Sequence, residues 1–421
     1  MTISSGAAVF RLCLPERMGR PTYLGHIIAA NFIVRSAYQM GKTPLLPILA
    51  ASLGATDQFL GLIVSVSTVT GMVSKPLVGV LADRWGRRAW LLVGTCFFIG
   101  VPFLYRFVET PGELLGLRLV HGLATAIYGP VSLAWVAARV RRRAEGIGWY
   151  VAGRNAGYIV GPAAAGWLLM HIGPVDVFTL IGLLSAAALV PVLMLQEGDE
   201  RRCHQGQSLL EQLRTSLKAG ASTPALWLAG SLEALSFVGL YAIKAFLPLQ
   251  ALASGVSVGL VGLFFSLQEG VHLLLQPLGG RLGDRWGYSR AIAAGLLVLS
   301  AGLGLLPWAL QTWALLGTAL LLGAGQALVF PATVALVSVR LDKGHLGAGM
   351  GLLGTAKNAG KVAGPVVGGV LLIWFDYARM LHYMGALLAG GALLAARWGY
   401  WGRGADHGGK EDSSGTVGPT Q

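Results

Sequence analysis

Gly79-Val-Leu-Ala-Asp83-Arg84-Trp85-Gly86-Arg87-Arg88 returns as Gly280-Arg-Leu-Gly-Asp284-Arg285-Trp286-Gly287-Tyr-Ser-Arg290, 201 residues later. Each copy closes an apolar segment, and another apolar segment follows it at once. A repeat at half the chain length, inside a hydrophobic sequence, predicts two membrane bundles related by pseudo-symmetry. That architecture moves solutes by rocking one half against the other. More positions carry the duplication: Gly61 and Gly262, Pro76 and Pro277, then Asn155-Ala-Gly157 and Asn358-Ala-Gly360, with the offset drifting from 201 to 203.

Composition agrees with a lipid environment. Apolar residues make up 54% of the chain and charged residues 12%, against about 25% charged in soluble domains. Sixty-one Gly and 12 Trp suit helices that approach closely and end at membrane interfaces. Cys13, Cys96 and Cys203 share no metal or redox spacing. The first twenty residues hold Arg11, Arg17 and Arg20 without a long apolar core, so no removable signal is read there and the first helix is expected to be the anchor.

Apolar runs of about 20 residues, enough for a ~30 Å core, predict twelve spans: 23–50, 58–82, 89–107, 113–138, 145–171, 175–195, 225–251, 258–282, 290–307, 312–339, 346–374 and 377–397. The expected fold is an all-α membrane protein with an N-terminal six-helix bundle (1–195), a cytoplasmic linker (196–224), a C-terminal six-helix bundle (225–398) and a disordered tail (399–421). Of the 32 Lys and Arg, 22 fall in loops of one side and the termini, and only Arg106 and Arg379 fall on the other. This bias predicts that both termini are cytoplasmic. It also accounts for the net charge of +13 without invoking nucleic acid.

Eight cations remain inside the predicted spans: Arg35, Lys42, Lys75, Arg118, Arg154, Lys244, Lys357 and Lys361. A charge at the bilayer centre costs roughly 2.5–3.5 kcal/mol on insertion scales, so such side chains face the bundle interior or snorkel. Asn31, Arg35, Gln39 and Lys42 are spaced four, four and three apart, which makes one polar stripe on the first helix. Lys42, five before Pro47, matches Lys244, four before Pro248; Arg154-Asn155 matches Lys357-Asn358. Cations approaching one cavity from both halves suit an anionic or zwitterionic solute. The competing reading neutralises each with a carboxylate.

Only Glu233 and Glu269 are carboxylates well inside spans, and His272 lies one turn from Glu269. Burial favours a neutral carboxylate and a neighbouring cation favours a charged one, so a balanced group can carry a proton as its surroundings alternate. Glu233, Glu269 and His272 are therefore the proton-coupling candidates, with static pairing to Lys244 or Lys357 as the alternative.

The stretch Gly79–Arg88 resembles the signature loop of the major facilitator superfamily, GxLADRxGRR/K, between helices two and three. Gly280–Arg290 is similar to its weaker copy between helices eight and nine, and Arg118-x-x-His121-Gly122 to a fourth-helix motif centred on Arg. Gly148-x8-Gly157-x3-Gly161-Pro162-x3-Gly166 resembles the family's antiporter-associated glycine-proline motif, with Ala165 in place of one closing Gly. Helix eleven carries that pattern in full, from Gly351 through Gly360, Gly364 and Pro365 to Gly368-Gly369.

The resemblance implies alternating access. It implies a gating role for Gly79, Asp83, Arg84, Gly86, Arg87, Asp284 and Arg285, with Gly161, Pro162, Gly364 and Pro365 at helix seams. It also implies a cavity lined by the first helix, with Asn31, Arg35, Gln39, Lys42, Arg118, Arg154, Lys244 and Lys357 as substrate candidates. The expected function is a proton-coupled antiporter that exports a small organic solute from the cytoplasmic membrane, as a monomer. Import of an anionic nutrient, multidrug export, flipping of an anionic lipid and a non-transporting sensor stand as alternatives. No catalytic, cofactor or metal site is expected. Gly349-x-Gly351-x-x-Gly354 lacks a preceding strand, and the ATP-binding and zinc-protease patterns do not occur.

Overall fold

The computed structural model describes residues 22–139, 143–195, 223–309, 311–341 and 346–408. Its first six spans are Thr22–Lys42 with Leu45–Ser52, then Asp57–Trp85, Arg87–Leu104, Pro111–Arg139, Arg143–Leu169, and Pro174–Ala186 with Leu189–Leu193. The seventh to twelfth are Pro224–Ala253, Val258–Trp286, Tyr288–Leu305, Thr312–Arg340, Leu346–Leu371 and Tyr377–Gly408. Among the described residues nine helices are long and apolar enough to cross a membrane by composition. The other three spans are the interrupted first, and the fifth and eleventh, which are rich in Gly and carry Arg154, Lys357 and Lys361.

The two halves are built alike. The first span packs on the fifth, the second on the fourth, and the third on the fourth and sixth. The seventh likewise packs on the eleventh, the eighth on the tenth, and the ninth on the tenth and twelfth. Local chemistry repeats too. Thr56 caps the second span by accepting from the Phe59 N–H at 3.4 Å, and Ser257 caps the eighth by accepting from the Leu260 N–H at 3.3 Å. Both spans run 29 residues, about 43 Å at 1.5 Å per residue, and both stop at a glycine with positive φ: Gly86 at 98° and Gly287 at 90°.

That conformation lets the signature loops turn directly into the next helix, and a side chain there is strained. Gly86→Ala is expected to lower stability by about 1–3 kcal/mol, read as a fall in unfolding temperature of the purified protein.

Three boundaries differ from the sequence reading. The first span breaks at Thr43-Pro44, where proline supplies no N–H to the helix ladder. The sixth breaks after Ala186. The last helix continues eleven residues past the expected end, through Gly408, so the 399–408 part of the expected tail is helical. Trp398, Tyr400, Trp401 and Arg403 give that extension the composition of an interfacial turn. Arg11, Arg17, Arg20, Arg141, Arg142, Lys343, residues 196–222 of the linker and residues 409–421 of the tail lie outside the described residues.

Candidate functional site

The stripe on the first span is buried against the fifth. Asn31 is inaccessible, and Gln39 and Lys42 are nearly so. Gly157 and Gly161 allow the approach: a Cβ on Gly157 would lie 2.9 Å from Arg35 Cβ, and one on Gly161 would lie 2.6 Å from Gln39 Cβ. The small-residue face of the fifth span is thus what holds the stripe in place. The eleventh span does the same to the seventh, with Gly360 against Ala234 and Gly364 against Val238.

Along the stripe, polar groups meet few partners. Both amide atoms of Asn31 and the Arg35 Nε are buried without a hydrogen-bond partner. Arg118, fully buried in the fourth span, donates to Ser67 Oγ at 2.6 Å and to the Tyr105 hydroxyl at 3.4 Å. His121 Nδ1 lies 3.1 Å from that hydroxyl. Arg154 is half-buried, with its Nε unpartnered.

At the centre the stripe meets the second half. Gln39, Lys42 and Tyr158 face Tyr241, Lys244 and Glu269 across a cavity of about 10 Å³, room for roughly one water. The site is collapsed in this conformation. Three ammonium groups share the Tyr241 ring: Lys42 at 4.9 Å, Lys244 at 5.2 Å and Lys361 at 5.5 Å from its centroid. Lys361 also lies 4.9 Å from the Phe237 centroid, as does Lys357. Phe237 stacks on Phe330 at 4.6 Å. A cation on an aromatic face gains about 2 kcal/mol or more when desolvated, which offsets part of the cost of burying these lysines.

Two lysines have carboxylate partners. Lys244 Nζ lies 3.0 Å from Glu269 Oε1, whose other oxygen is 3.3 Å from His272 Nδ1. Lys357 Nζ lies 3.8 Å from Glu233 Oε1, and Thr333 Oγ1 donates to Glu233 Oε2 at 2.9 Å. Among the described residues Lys42, Lys361, Arg35 and Arg118 have no carboxylate within ion-pair distance. The structure therefore brings Lys42, Lys244, Glu269 and His272 together and sets Lys357 with Glu233 beside them.

The halves meet through the second and eleventh spans and through the fifth and eighth. Gly61 lies under the Pro365 carbonyl, and a Cβ on Gly369 would lie 2.6 Å from the Asp57 carbonyl oxygen. Gly262 lies under the Pro162 carbonyl beside Gly166. Two hydrogen bonds cross the same boundary: Ser65 Oγ donates to the Val362 carbonyl at 2.9 Å, and the Ala163 N–H donates to Ser266 Oγ at 2.8 Å. These contacts fall near the start of the second and eighth spans, the end opposite the signature loops.

At the loop end, Gly79 is half-buried, and Asp83 and Arg84 occupy the last turn of the second span, their side chains outside the described residues. Arg87 donates to the Ala134 carbonyl at 3.3 Å, Arg88 to the Leu193 carbonyl at 2.8 Å. Asp284 accepts from the Tyr288 hydroxyl at 3.1 Å, and Arg285 is exposed. A larger recess of about 490 Å³ lies on Val271, Leu274 and Leu320 and offers nothing polar to a solute.

Sequence reasoning counted Lys361 among the interior cations without naming it a site residue, and it missed Tyr158, Tyr241, Phe237 and Phe330. The spacing of Phe237, Tyr241 and Lys244, four and three apart on one face of the seventh span, is the signal that could have found Phe237 and Tyr241; Tyr158 and Phe330 carry no such local signal.

Comparison with known proteins agrees with this architecture. The family model of the Major Facilitator Superfamily matches residues 27–251 and 229–419. An uncharacterized MFS-type transporter of Methanocaldococcus jannaschii is 26% identical over 81% of this chain and 89% of its own length. The multi-drug resistance efflux pump PmrA of Streptococcus pneumoniae is 26% identical over 84% of this chain and 90% of its own. The crystal structure of the nucleoside transporter NupG superposes with a TM-score of 0.76 at 12% identity, covering 89% of this chain and 98% of that one. Duplicated signature loops, paired bundles, a charged cavity between them and a family match over nearly the whole length lead to one conclusion: this chain belongs to the Major Facilitator Superfamily of multi-pass membrane transporters.

Proposed function

We propose that the chain exports a small organic anion or zwitterion from the cytoplasm by alternating access, in exchange for protons. The observation that carries this reading is the charge of the interior. Arg35, Lys42, Arg118, Arg154, Lys244, Lys357 and Lys361 stand against Glu233 and Glu269 alone. Burying unpaired charge is costly, and an anion entering between the halves supplies what the protein omits. Glu269, bonded to both Lys244 and His272, is the group whose partners change when an anion competes for Lys244, which supports it as the proton carrier.

With both termini in the cytoplasm, the seal between Gly61, Pro365, Pro162 and Gly262 lies on the outer face and the cavity opens inward. Asp83 and Arg84 then serve as the opposing latch that forms when the inner face closes. The six-helix halves act as the two rocking bodies, residues 196–224 join them, and a monomer holds the whole pathway.

Arg35→Ala is expected to lower uptake of an organic anion into inverted vesicles by at least about tenfold, a loss of 1.4 kcal/mol, with Arg35→Lys retaining part of it. Undiminished uptake in the alanine variant would remove the interior charge from the mechanism. A second reading, export of flat lipophilic drugs, is favoured by the Phe237, Phe330 and Tyr241 rings and by drug-efflux relatives such as PmrA. Stabilisation of the purified protein by lipophilic cations and not by anions would favour that reading.

A further inference from the structure

We infer that the central site takes a short dianion, one anionic group held by Lys42 of the first half and the other by Lys361 of the second. The inference rests on the organic-anion reading and specifies its valence. Four lysines surround the Tyr241 and Phe237 rings, and two of them are already matched: Lys244 by Glu269 at 3.0 Å and Lys357 by Glu233 at 3.8 Å. Lys42 and Lys361 are left, one from each half, each resting on the Tyr241 face without a carboxylate. The uncompensated arginines do not reach this ring and belong to the first half alone.

The aromatic face is a place-holder. A ring quadrupole holds an ammonium group without supplying a counter-ion, so each of the two lysines has a partner's place left for a solute to fill. A monoanion would satisfy one and leave the other buried and unpaired, the arrangement that costs most. A dianion satisfies both and ties the two halves to each other.

Geometry limits its length. With Lys42 Nζ at 4.9 Å and Lys361 Nζ at 5.5 Å from one centroid, the two ammonium groups stand no more than about 10 Å apart. Two charge-assisted contacts of ~2.8 Å leave about 5 Å between the anionic oxygens. The cavity of about 10 Å³ must open before a solute enters; a dicarboxylate with a two- to four-carbon spine then spans the gap, and a phosphate monoester, whose charge of about −2 is concentrated on one group, bridges the two lysines only where they stand closer than this limit.

The test is binding to the full-length purified chain in nanodiscs, by calorimetry, with four probes: butyrate, succinate, tricarballylate and glycerol phosphate. Butyrate and succinate share a carbon count and differ in one charge. Succinate or glycerol phosphate is expected to bind at least tenfold tighter than butyrate, and which of the two prevails identifies a carboxylate or a phosphate source. Lys361→Met is expected to erase the preference, while Lys361→Arg, keeping the charge, preserves it. Glu269→Gln frees Lys244 as a third unmatched cation and is expected to move the preference toward tricarballylate.

Equal binding of butyrate and succinate overturns the dianion and leaves the organic-anion reading standing. So does a preference that survives Lys361→Met. Failure of all four probes to bind overturns both.

Discussion

Replacing Gly262 with leucine is expected to reduce transport on the order of 100-fold while leaving folded protein in the membrane. A Cβ at this position would stand 2.9 Å from Gly166 Cα and 3.1 Å from Gly166 N, and closer still to the Pro162 carbonyl oxygen. Those neighbours are main chain and have no rotamer to which they can retreat. Overpacking a tight contact costs typically ~1–3 kcal/mol, and a branched side chain placed against backbone belongs at the upper end. Every cycle must pass through the sealed conformation, so about 2.7 kcal/mol against it is two decades of flux.

The variant folds because its obstruction lies between the halves, not within either. Met170, whose sulfur would lie 2.6 Å from a Cβ on Gly259, reports the seal. In a background without Cys13, Cys96 and Cys203, a cysteine in place of Met170 should label faster with an impermeant maleimide in the Gly262→Leu variant. Gly116→Leu is the control, since a Cβ there meets nothing within 4 Å. Normal flux through Gly262→Leu would show that the cycle does not need this seal.

The second large effect concerns stability. Lys244→Met is expected to destabilise the protein by roughly 3–5 kcal/mol, the usual result of leaving one member of a buried ion pair uncompensated. Lys244 and Glu269 are 12% and 14% exposed as side chains, and Nζ lies 3.0 Å from Oε1. Removing both charges, as in Lys244→Met with Glu269→Gln, should restore most of the loss, because a pair replaced by neutral groups is often neutral in stability. Transport is not expected to return. Thermal unfolding of the four proteins gives the coupling energy directly, and a value near zero would make the contact incidental.

Much of the architecture was legible from residue patterns alone. Gly79–Arg88 and its copy disclosed the duplication, and apolar runs disclosed the spans, because lipid imposes a length and a composition that few other environments share. The stripe from Asn31 to Lys42 showed in its spacing, and the structure carries Gln39 and Lys42 to the central cavity. Pairing was harder. Glu233 and Glu269 had Lys244 and Lys357 as candidate partners, and only the seams between spans decided which lysine met which carboxylate. Tyr241 went unremarked, since no local pattern announces that lysines from the first, seventh and eleventh spans will converge on one ring. The break at Thr43-Pro44 was hidden because apolar residues resume at once at Leu45-Leu46, so one span of the expected length covered both pieces. The last helix was cut short because hydropathy falls after Trp398 while the helical backbone runs on through Gly408.

The seal at the end opposite the signature loops is made of backbone. Gly61 under the Pro365 carbonyl and Gly262 under the Pro162 carbonyl join main chain to main chain, whereas the solute-facing surface is written in lysine, tyrosine and glutamate side chains. Closing and choosing are therefore separate inheritances. A lineage can exchange Lys361 or Tyr241 for other residues and change its cargo without touching the hinge contacts, and it can tune how readily the door shuts without altering what passes. An engineer could do the same: graft a foreign set of cavity residues onto this scaffold, keep these two backbone contacts, and expect a machine that still cycles.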